Sequence, residues 1–228
     1  MNEEQRQSVA LGLLSFTAGV MDAIAFLTLG DVFTSAMSGN TILLGLALGQ
    51  GRMSAALHSL AAFVGYICGV AGAALPLRDA RHGVEQTLRL EILFLAAFAA
   101  FWAVRGGPMG QSDVYALIIL SAVAMGLQGA VGRAIRIHGV PTVVITSTLT
   151  AIVGAIAERI LKREPRLFAP PTRQQILSFI AYLVSAVAAG FALTRWRDAL
   201  PFVPLAAILI LVLGLRSRLL RLEHDPIR

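Results

Sequence analysis

Charged residues are scarce in this chain. Asp, Glu, Lys and Arg make up 14% of its 228 residues, whereas a soluble domain carries about a quarter. So few charges cannot cover a globular surface with groups that water solvates, which excludes an ordinary soluble fold. The 57% share of hydrophobic residues and the mean hydropathy of +0.75 instead indicate a membrane protein.

Cysteine and the motifs of enzymes are nearly absent as well. The single cysteine, Cys68, lies in an apolar stretch, so no disulfide framework exists. The sequence has no paired-histidine metal motif, no nucleophile elbow and no phosphate-binding loop. We therefore expect no enzymatic activity, no cofactor and no metal site.

Hydrophobic runs cover most of the chain. They fall at residues 8–29, 34–50, 55–77, 88–105, 112–133, 142–160, 174–194 and 199–215. A helix needs about 20 residues to cross a ~30 Å hydrocarbon core, and the second and sixth runs are the doubtful ones. The second is short and contains Gly39, Gly45 and Gly49, and Gly154 interrupts the sixth. We expect an all-α, polytopic integral membrane helical bundle, a single domain over residues 1–228. It has eight spans, or six if these two segments are re-entrant.

The basic residues predict the orientation. With eight spans, 12 of the 19 Lys and Arg residues fall on the side of both termini and the other 7 on the opposite side. Cytoplasmic loops are enriched in Lys and Arg, so both termini are predicted to be cytoplasmic. These residues are dispersed at the ends of spans with no aromatic-lined basic stripe, so we expect the lipid bilayer as a partner and no nucleic acid.

Three short similarities recur in the same order along the two halves of the chain. The matched pairs are 19–23 with 126–130, 33–41 with 141–149, and 77–80 with 196–199. Their common order predicts a four-plus-four internal repeat with halves at about residues 8–105 and 112–215. Chance similarity among helices rich in Ala, Gly and Leu is the alternative.

The first of these regions carries a distinctive motif. AGVMDAIAF (18–26), GDVF (30–33) and MSGNT (37–41) resemble the signature of the YoaK family, and MGLQ (125–128) followed by TSTLT (146–150) resembles its second half. The resemblance implies a multi-pass protein of a bacterial inner (plasma) membrane that handles small metabolites. This chain departs from the family pattern at Ser38, where Thr is common, at Gly129, where Asn often follows Gly-Leu-Gln, and at Ser147, where Gly is usual.

Asp22 is the most unusual residue of the first hydrophobic run. It lies about two-thirds of the way along that run, where a carboxylate costs about 2.5–3.5 kcal/mol on insertion scales. Two interpretations stay open: Asp22 hydrogen-bonds a broken neighbouring helix, or it lines a cavity and binds a cation or a proton. Glu91, only a few residues into the fourth run, is expected to reach the interface.

Polar residues interrupt the second and sixth runs at matching places. Ser38, Asn40 and Thr41 lie in the second, and Thr146 and Thr148 lie in the sixth. Such side chains compete with helical backbone hydrogen bonds, and paired interrupted segments in two halves indicate a transporter site. Close helix packing is the alternative interpretation.

These observations lead to a functional hypothesis. We expect a transporter or exporter of a small solute that rocks its two halves, with proton coupling through Asp22 as one form. Gln128, which lies among glycines, is expected to face Asp22. The predicted substrate or ion site comprises Asp22, Ser38, Asn40, Thr41, Gln128, Thr146 and Thr148. The alternative is a non-catalytic membrane scaffold or accessory subunit that binds another membrane protein, and a channel is a weaker third option. A homo-oligomer is compatible with each of these.

Overall fold

The computed structural model describes residues 3–79, 81–105, 110–135, 145–164, 168–217 and 220. Eight α-helices and one 3₁₀ turn, Pro76–Arg78, fill this part of the chain, and no strand occurs in it. The helices are α1 (Glu3–Thr28), α2 (Met37–Gly49), α3 (Met53–Ala73), α4 (Gly83–Arg105), α5 (Gln111–Ala134), α6 (Ile145–Leu161), α7 (Pro170–Arg195) and α8 (Phe202–Arg216). The predicted all-α helical bundle is confirmed.

The described helices differ in their ability to cross a membrane. Five of them, α1, α3, α4, α5 and α7, are long and apolar enough to do so. The 13-residue α2 measures about 20 Å at the ~1.5 Å rise of an α-helix, which is less than the ~30 Å hydrocarbon core. The 17-residue α6 is also short, so the two doubtful segments remain the doubtful ones. The 15-residue α8 is a third short helix, because residues 197–201 form turns ahead of it.

Four helices form a closed ring at the centre of the bundle. Helix α1 packs against α5 and α8, and α4 packs against the same two helices. Helix α7 lies along the outside of α1, and α3 lies along the outside of α5. The two short helices are outermost, since α2 packs on α3 and α6 packs on α7.

These contacts follow a regular pattern. Helices four places apart in the chain correspond to each other: α1 to α5, α2 to α6, α3 to α7 and α4 to α8. The contact of α1 with α7 therefore corresponds to the contact of α5 with α3. In the same way, α1 with α8 corresponds to α5 with α4, and α2 with α3 corresponds to α6 with α7. Each of these pairs is present in the bundle, so helices in equivalent positions of the two halves have equivalent neighbours.

Large apolar side chains are exposed on the outer helices. Leu46 on α2, Ile67 on α3 and Val187 on α7 are each more than half exposed. Soluble monomers rarely expose extended apolar surface of this kind, whereas lipid tails cover it without cost. The bundle therefore has the surface of a membrane protein as well as its composition.

Glycines allow α3 and α5 to approach closely. A Cβ atom on Gly69 would overlap the carbonyl of Val123 and would lie 2.9 Å from Gly126 Cα. A Cβ atom on Gly65 would lie 3.0 Å from the carbonyl of Ile119. Small residues permit this approach of helix backbones in membranes, and these glycines form the packing surface between the two helices.

Candidate functional site

The second hydrophobic segment begins as non-helical chain. Helix α1 ends at Thr28, and the chain then turns at Gly30 and Asp31, whose φ angles are +92° and +58°. It runs back beside α1 until α2 begins at Met37. The returning residues reach the level of Asp22, about 9 Å before the end of α1 at the usual helical rise. Helix α2 is short because the first residues of its hydrophobic run, 34–36, are not helical.

Asp22 accepts five hydrogen bonds from this segment and from α7. Its Oδ1 accepts from the backbone N–H groups of Thr34 and Ser35, each at 2.7 Å, and from the Thr34 hydroxyl at 3.2 Å. Its Oδ2 accepts from the Ser35 hydroxyl at 2.6 Å and from the Tyr182 hydroxyl at 2.7 Å. Asp22 is only 2% exposed. These partners are all donors, which is what an acceptor-only carboxylate requires.

Of the two interpretations of Asp22, the structure shows the first. The carboxylate hydrogen-bonds the broken segment ahead of α2, and it supplies acceptors where helical carbonyls are missing. Non-helical backbone at membrane depth is tolerated where protein buries it and satisfies its polar groups. Asp22 also joins two parts of the bundle, because Thr34 and Ser35 belong to the first half whereas Tyr182 lies on α7. Cation or proton binding at Asp22 stays a prediction.

Asn40 binds the same segment from the other side. Its Oδ1 accepts from the backbone N–H of Phe33 at 2.8 Å, and its Nδ2 donates to the Phe33 carbonyl at 2.6 Å. Asn40 is completely buried. Its amide therefore satisfies both backbone polar groups of Phe33, as a neighbouring strand would. Asp22 and Asn40 together pair the backbone of residues 33–35 that no helix pairs.

The remaining predicted residues of the short segments lie elsewhere. Ser38 and Thr41 are exposed on α2, and the Thr41 hydroxyl donates to the Met37 carbonyl of its own helix at 3.0 Å. On α6, Thr146 is exposed, whereas Thr148 is buried. The structure thus brings Asp22 and Asn40 together and leaves Ser38, Thr41 and Thr146 on outer surfaces. The first four residues of the predicted match to the second segment, 141–144, lie outside the described residues.

Gln128 is buried but does not bind Asp22. Its Nε2 donates to the carbonyl of Leu14 at 2.9 Å, which lies eight residues before Asp22 on α1, or about 12 Å at the helical rise. Gln128 therefore links α5 to α1 at a different level, and the expected pairing with Asp22 does not form. Its Oε1 is buried without a hydrogen-bond partner.

The contact of α1 with α7 depends on Gly19. A Cβ atom on Gly19 would overlap the backbone carbonyl of Tyr182. One turn further along α1, Asp22 accepts the hydrogen bond from the hydroxyl of the same tyrosine. Backbone contact and polar contact thus occur side by side at this crossing.

The crossing of α5 with α3 has the same kind of backbone contact but lacks the polar contact. A Cβ atom on Gly126 would overlap the backbone carbonyl of Tyr66. Three residues further along α5, the Tyr66 hydroxyl lies against Gly129, which has no side chain to accept from it. The comparison of the two halves of the sequence matched Gly19 with Gly126 but did not identify Tyr66 or Tyr182. The signal was present, since Tyr66 and Tyr182 each precede a small residue, Gly69 and Ser185, by three positions.

Glu91 is one of three buried carboxyl groups, with Asp22 and Asp113, in the part of the chain that the structure describes. It is 0% exposed, and neither of its oxygens has a hydrogen-bond partner among these residues. The expectation that Glu91 reaches the interface is wrong, because α4 begins at Gly83 and not at residue 88. Glu91 therefore lies about 12 Å into the helix. Within the described ranges, no three His, Cys, Asp or Glu residues group as metal ligands do.

Comparison with known proteins agrees with the bundle. The family described as proteins of unknown function (DUF1275) matches residues 10–215. The UPF0700 transmembrane protein YoaK of Bacillus subtilis (strain 168) is 32% identical over 219 residues, which cover 93% of this chain and 96% of the relative. No solved structure matches the chain. The resemblance indicated by residues 18–41 is confirmed.

Proposed function

We propose a function from one premise: the chain belongs to the DUF1275 family, and it is a multi-pass membrane protein. On this proposal the protein transports or exports a small solute across a bacterial inner membrane, with both termini in the cytoplasm. It acts by binding and conformational change and performs no covalent chemistry.

One observation carries the proposal, namely the broken segment that Asp22 joins to the other half. Transporters build their sites near the bilayer midplane from discontinuous helices at the interface between repeats. Residues 33–35 are such a break, and the Tyr182 hydroxyl bond to Asp22 crosses between the halves. A membrane protein with a purely structural role has no need of a buried carboxyl group and a non-helical segment within its spans.

Most helix contacts of the bundle join the two halves to each other, so any movement between the halves takes place at these contacts. The equivalent neighbours of equivalent helices are what a four-plus-four repeat over residues 8–105 and 112–215 produces. The long crossings, α1 with α7 and α3 with α5, both join helices of different halves. Glycines make these crossings smooth, so they are the surfaces along which the halves rock.

Asp22 has a specific part in this cycle. When α7 moves away from α1, Asp22 Oδ2 loses the Tyr182 hydroxyl and keeps only that of Ser35, so this oxygen has room for a new partner. A proton, a cation or a cationic group of the solute supplies it, so ligand binding and the movement of the halves are coupled. Asn40 keeps the broken segment in place during this exchange. Ser38, Thr41, Gln128, Thr146 and Thr148 stay predicted contributors along the path.

The test uses reconstituted full-length protein and a mixture of small metabolites. Proteoliposomes with an imposed proton gradient are incubated in the mixture, separated from it, and analysed by mass spectrometry against protein-free liposomes. We expect at least one solute to be enriched or depleted. Asp22→Asn is expected to remove the gradient-dependent part, while its Oδ1 still accepts from the two backbone N–H groups.

The matched control is Asp31→Asn. Asp31 is exposed and has a positive φ that asparagine adopts readily, so the change removes the same charge without touching the Asp22 contacts. No change in any solute, in either direction of the gradient, would overturn the transport proposal. Unchanged transport by Asp22→Asn would remove Asp22 from the mechanism.

A membrane scaffold or accessory subunit is the second candidate, and one observation favours it. Thr41, Gly45 and Gly49 are exposed at four-residue intervals on α2, and a Cβ atom on either glycine would meet nothing within 4 Å. Faces of this kind let helices of a partner or of a second copy approach. On this proposal Gly45→Leu abolishes recovery of a stoichiometric partner or of a homo-oligomer, whereas Asp22→Asn leaves it unaltered.

A further inference from the structure

Glu91 lies in a mainly apolar stretch of α4, where Thr87, the buried polar residue one turn before it, donates its hydroxyl to the Gly83 carbonyl. Leu88 and Leu95, one turn before and one turn after it on α4, are each 0% exposed. Neither Glu91 oxygen has a donor within hydrogen-bond distance. Glu91 thus occupies a core position of α4, in the ring where this helix packs against α5 and α8.

No charged group of the described residues pairs with Glu91. The ionisable groups on the elements packed around it are Asp113, Tyr115 and Arg133 on α5, Arg216 on α8, Arg78 in the 3₁₀ turn, and Glu85, Arg89 and Arg105 on α4 itself. None of these groups forms a hydrogen bond with Glu91. Several are paired elsewhere: Glu85 binds Arg89 and Arg216, and Asp113 binds Arg105.

An ionised carboxylate is much more costly than a neutral acid in such a place. Transfer of an unpaired charge into apolar surroundings is so unfavourable that the group neutralises instead. Asp22 differs from Glu91 in its partners, because its two oxygens accept five hydrogen bonds. We infer that Glu91 is a proton-binding site, which holds a proton in this arrangement of the helices and exchanges it with water when α4 separates from its neighbours.

The exchange step rests on the proposed transport function, since it needs the halves to move. Helix α4 belongs to the first half, and α5 and α8 belong to the second. A rocking motion that parts these helices therefore admits water to Glu91, and the motion in reverse encloses the proton again. Glu91, and not only Asp22, would then link a proton gradient to the conformation of the bundle.

The test is infrared spectroscopy of the purified full chain in nanodiscs of ether-linked lipids at about pH 7, because the ester carbonyls of ordinary phospholipids absorb where a neutral carboxylic acid does. Exposed carboxyl groups, with ordinary pKa values near 4, are ionised there, so the carbonyl stretch of a neutral acid reports a buried one. We expect wild-type protein to show this band and to shift it in D₂O. Glu91→Gln is expected to lose the band, and Asp22→Asn is expected to keep it.

Glu85→Gln is the matched control, because it removes an ion-paired carboxylate from the same helix and is expected to leave the band intact. Glu91→Asp, which retains an acid at the position, is expected to keep a neutral-acid band if Glu91→Gln does not fold. A wild-type protein without the band, a band that survives in folded Glu91→Gln, or a band that never shifts in D₂O would overturn the inference. If the band shifts in D₂O but the protein transports no solute, the transport proposal is overturned and the inference that Glu91 binds a proton is not.

Discussion

The crossing of α1 with α7 and the crossing of α5 with α3 share their backbone contacts and differ in their polar ones. In both, a glycine presses against the backbone of a tyrosine from the other half, Gly19 on Tyr182 and Gly126 on Tyr66. Only in the first crossing does the tyrosine hydroxyl donate a hydrogen bond to a carboxyl group. This difference shows that glycine is sufficient for close contact between the helices. It also shows that the role of Asp22 is to bind the non-helical segment ahead of α2.

The largest effect is expected from Asp22→Ala. The change leaves two buried backbone N–H groups without an acceptor and three hydroxyls short of one, at about 1–3 kcal/mol for each group that finds no substitute. We expect a loss of about 3–6 kcal/mol in the free energy of unfolding, measured by denaturant titration in mixed micelles.

Asp22→Asn is the control for this loss. It retains an acceptor for the two N–H groups, and its amide donates to hydroxyls that are able to accept. We expect it to lose less than half as much stability as Asp22→Ala. Equal losses would mean that the charge, and not the hydrogen-bond geometry, stabilises the segment.

Glycine substitution tests the shared part of the two crossings. Gly19→Ala and Gly126→Ala each place a methyl group on a tyrosine carbonyl, so the helices must separate. We expect both to cost about 1–3 kcal/mol, by the same titration. Gly12→Ala on α1 meets nothing within 4 Å and is expected to be neutral or slightly stabilising. A large loss at only one crossing would show that the two are not equivalent.

Tyrosine substitution tests the part that differs. Tyr182→Phe removes one donor from a buried carboxylate, and we expect a loss of about 1.5 kcal/mol. Tyr66→Phe removes a hydroxyl that faces a glycine, and we expect less than about 0.5 kcal/mol. Comparison of the two unfolding free energies measures the polar contact directly, and equal values would contradict the proposed asymmetry.

A small net effect is also expected from Gly129→Asn. It places an amide opposite Tyr66 and so adds to the second crossing a partner like the one that Asp22 gives Tyr182. The new Cβ atom displaces the end of the tyrosine side chain, and a hydrogen bond offsets that displacement. We expect a net change below about 1 kcal/mol. In the double variant Gly129→Asn, Tyr66→Phe, the offset should disappear and the stability should fall.

Hydrophobic patterning was enough to predict the bundle, because each span must be apolar over its whole length. It located eight segments, and each overlaps one of the described helices. It placed the starts of several helices poorly, among them α2 and α4. Helix α2 begins at Met37 because hydrogen bonds to Asp22 and Asn40 hold the preceding residues in a non-helical form, and hydropathy does not register such bonds. Helix α4 begins before its apolar run does, so Glu91 lies deeper than the run suggests.

The candidate site was predictable in its members and not in its contacts. An aspartate in a hydrophobic run is conspicuous, and so are the Ser, Asn and Thr residues after Gly30. Which of them face Asp22 depends on the turn at Gly30 and Asp31, whose backbone angles set the direction of the returning chain. The partner on α7 depends on tertiary packing across 160 residues, and no local pattern contains that information.

The sequence positions of the Asp22 donors also give an order of assembly. Four of the five hydrogen bonds come from residues 12 and 13 positions later, and the fifth comes from Tyr182, 160 positions later. At about 5–20 residues per second, the ribosome needs roughly 7–30 s after Ser35 to reach Tyr182. The hairpin of α1 and α2 thus enters the bilayer with its carboxylate already mostly paired. The bond that joins the two halves forms last, when α7 arrives beside a hairpin that is already folded.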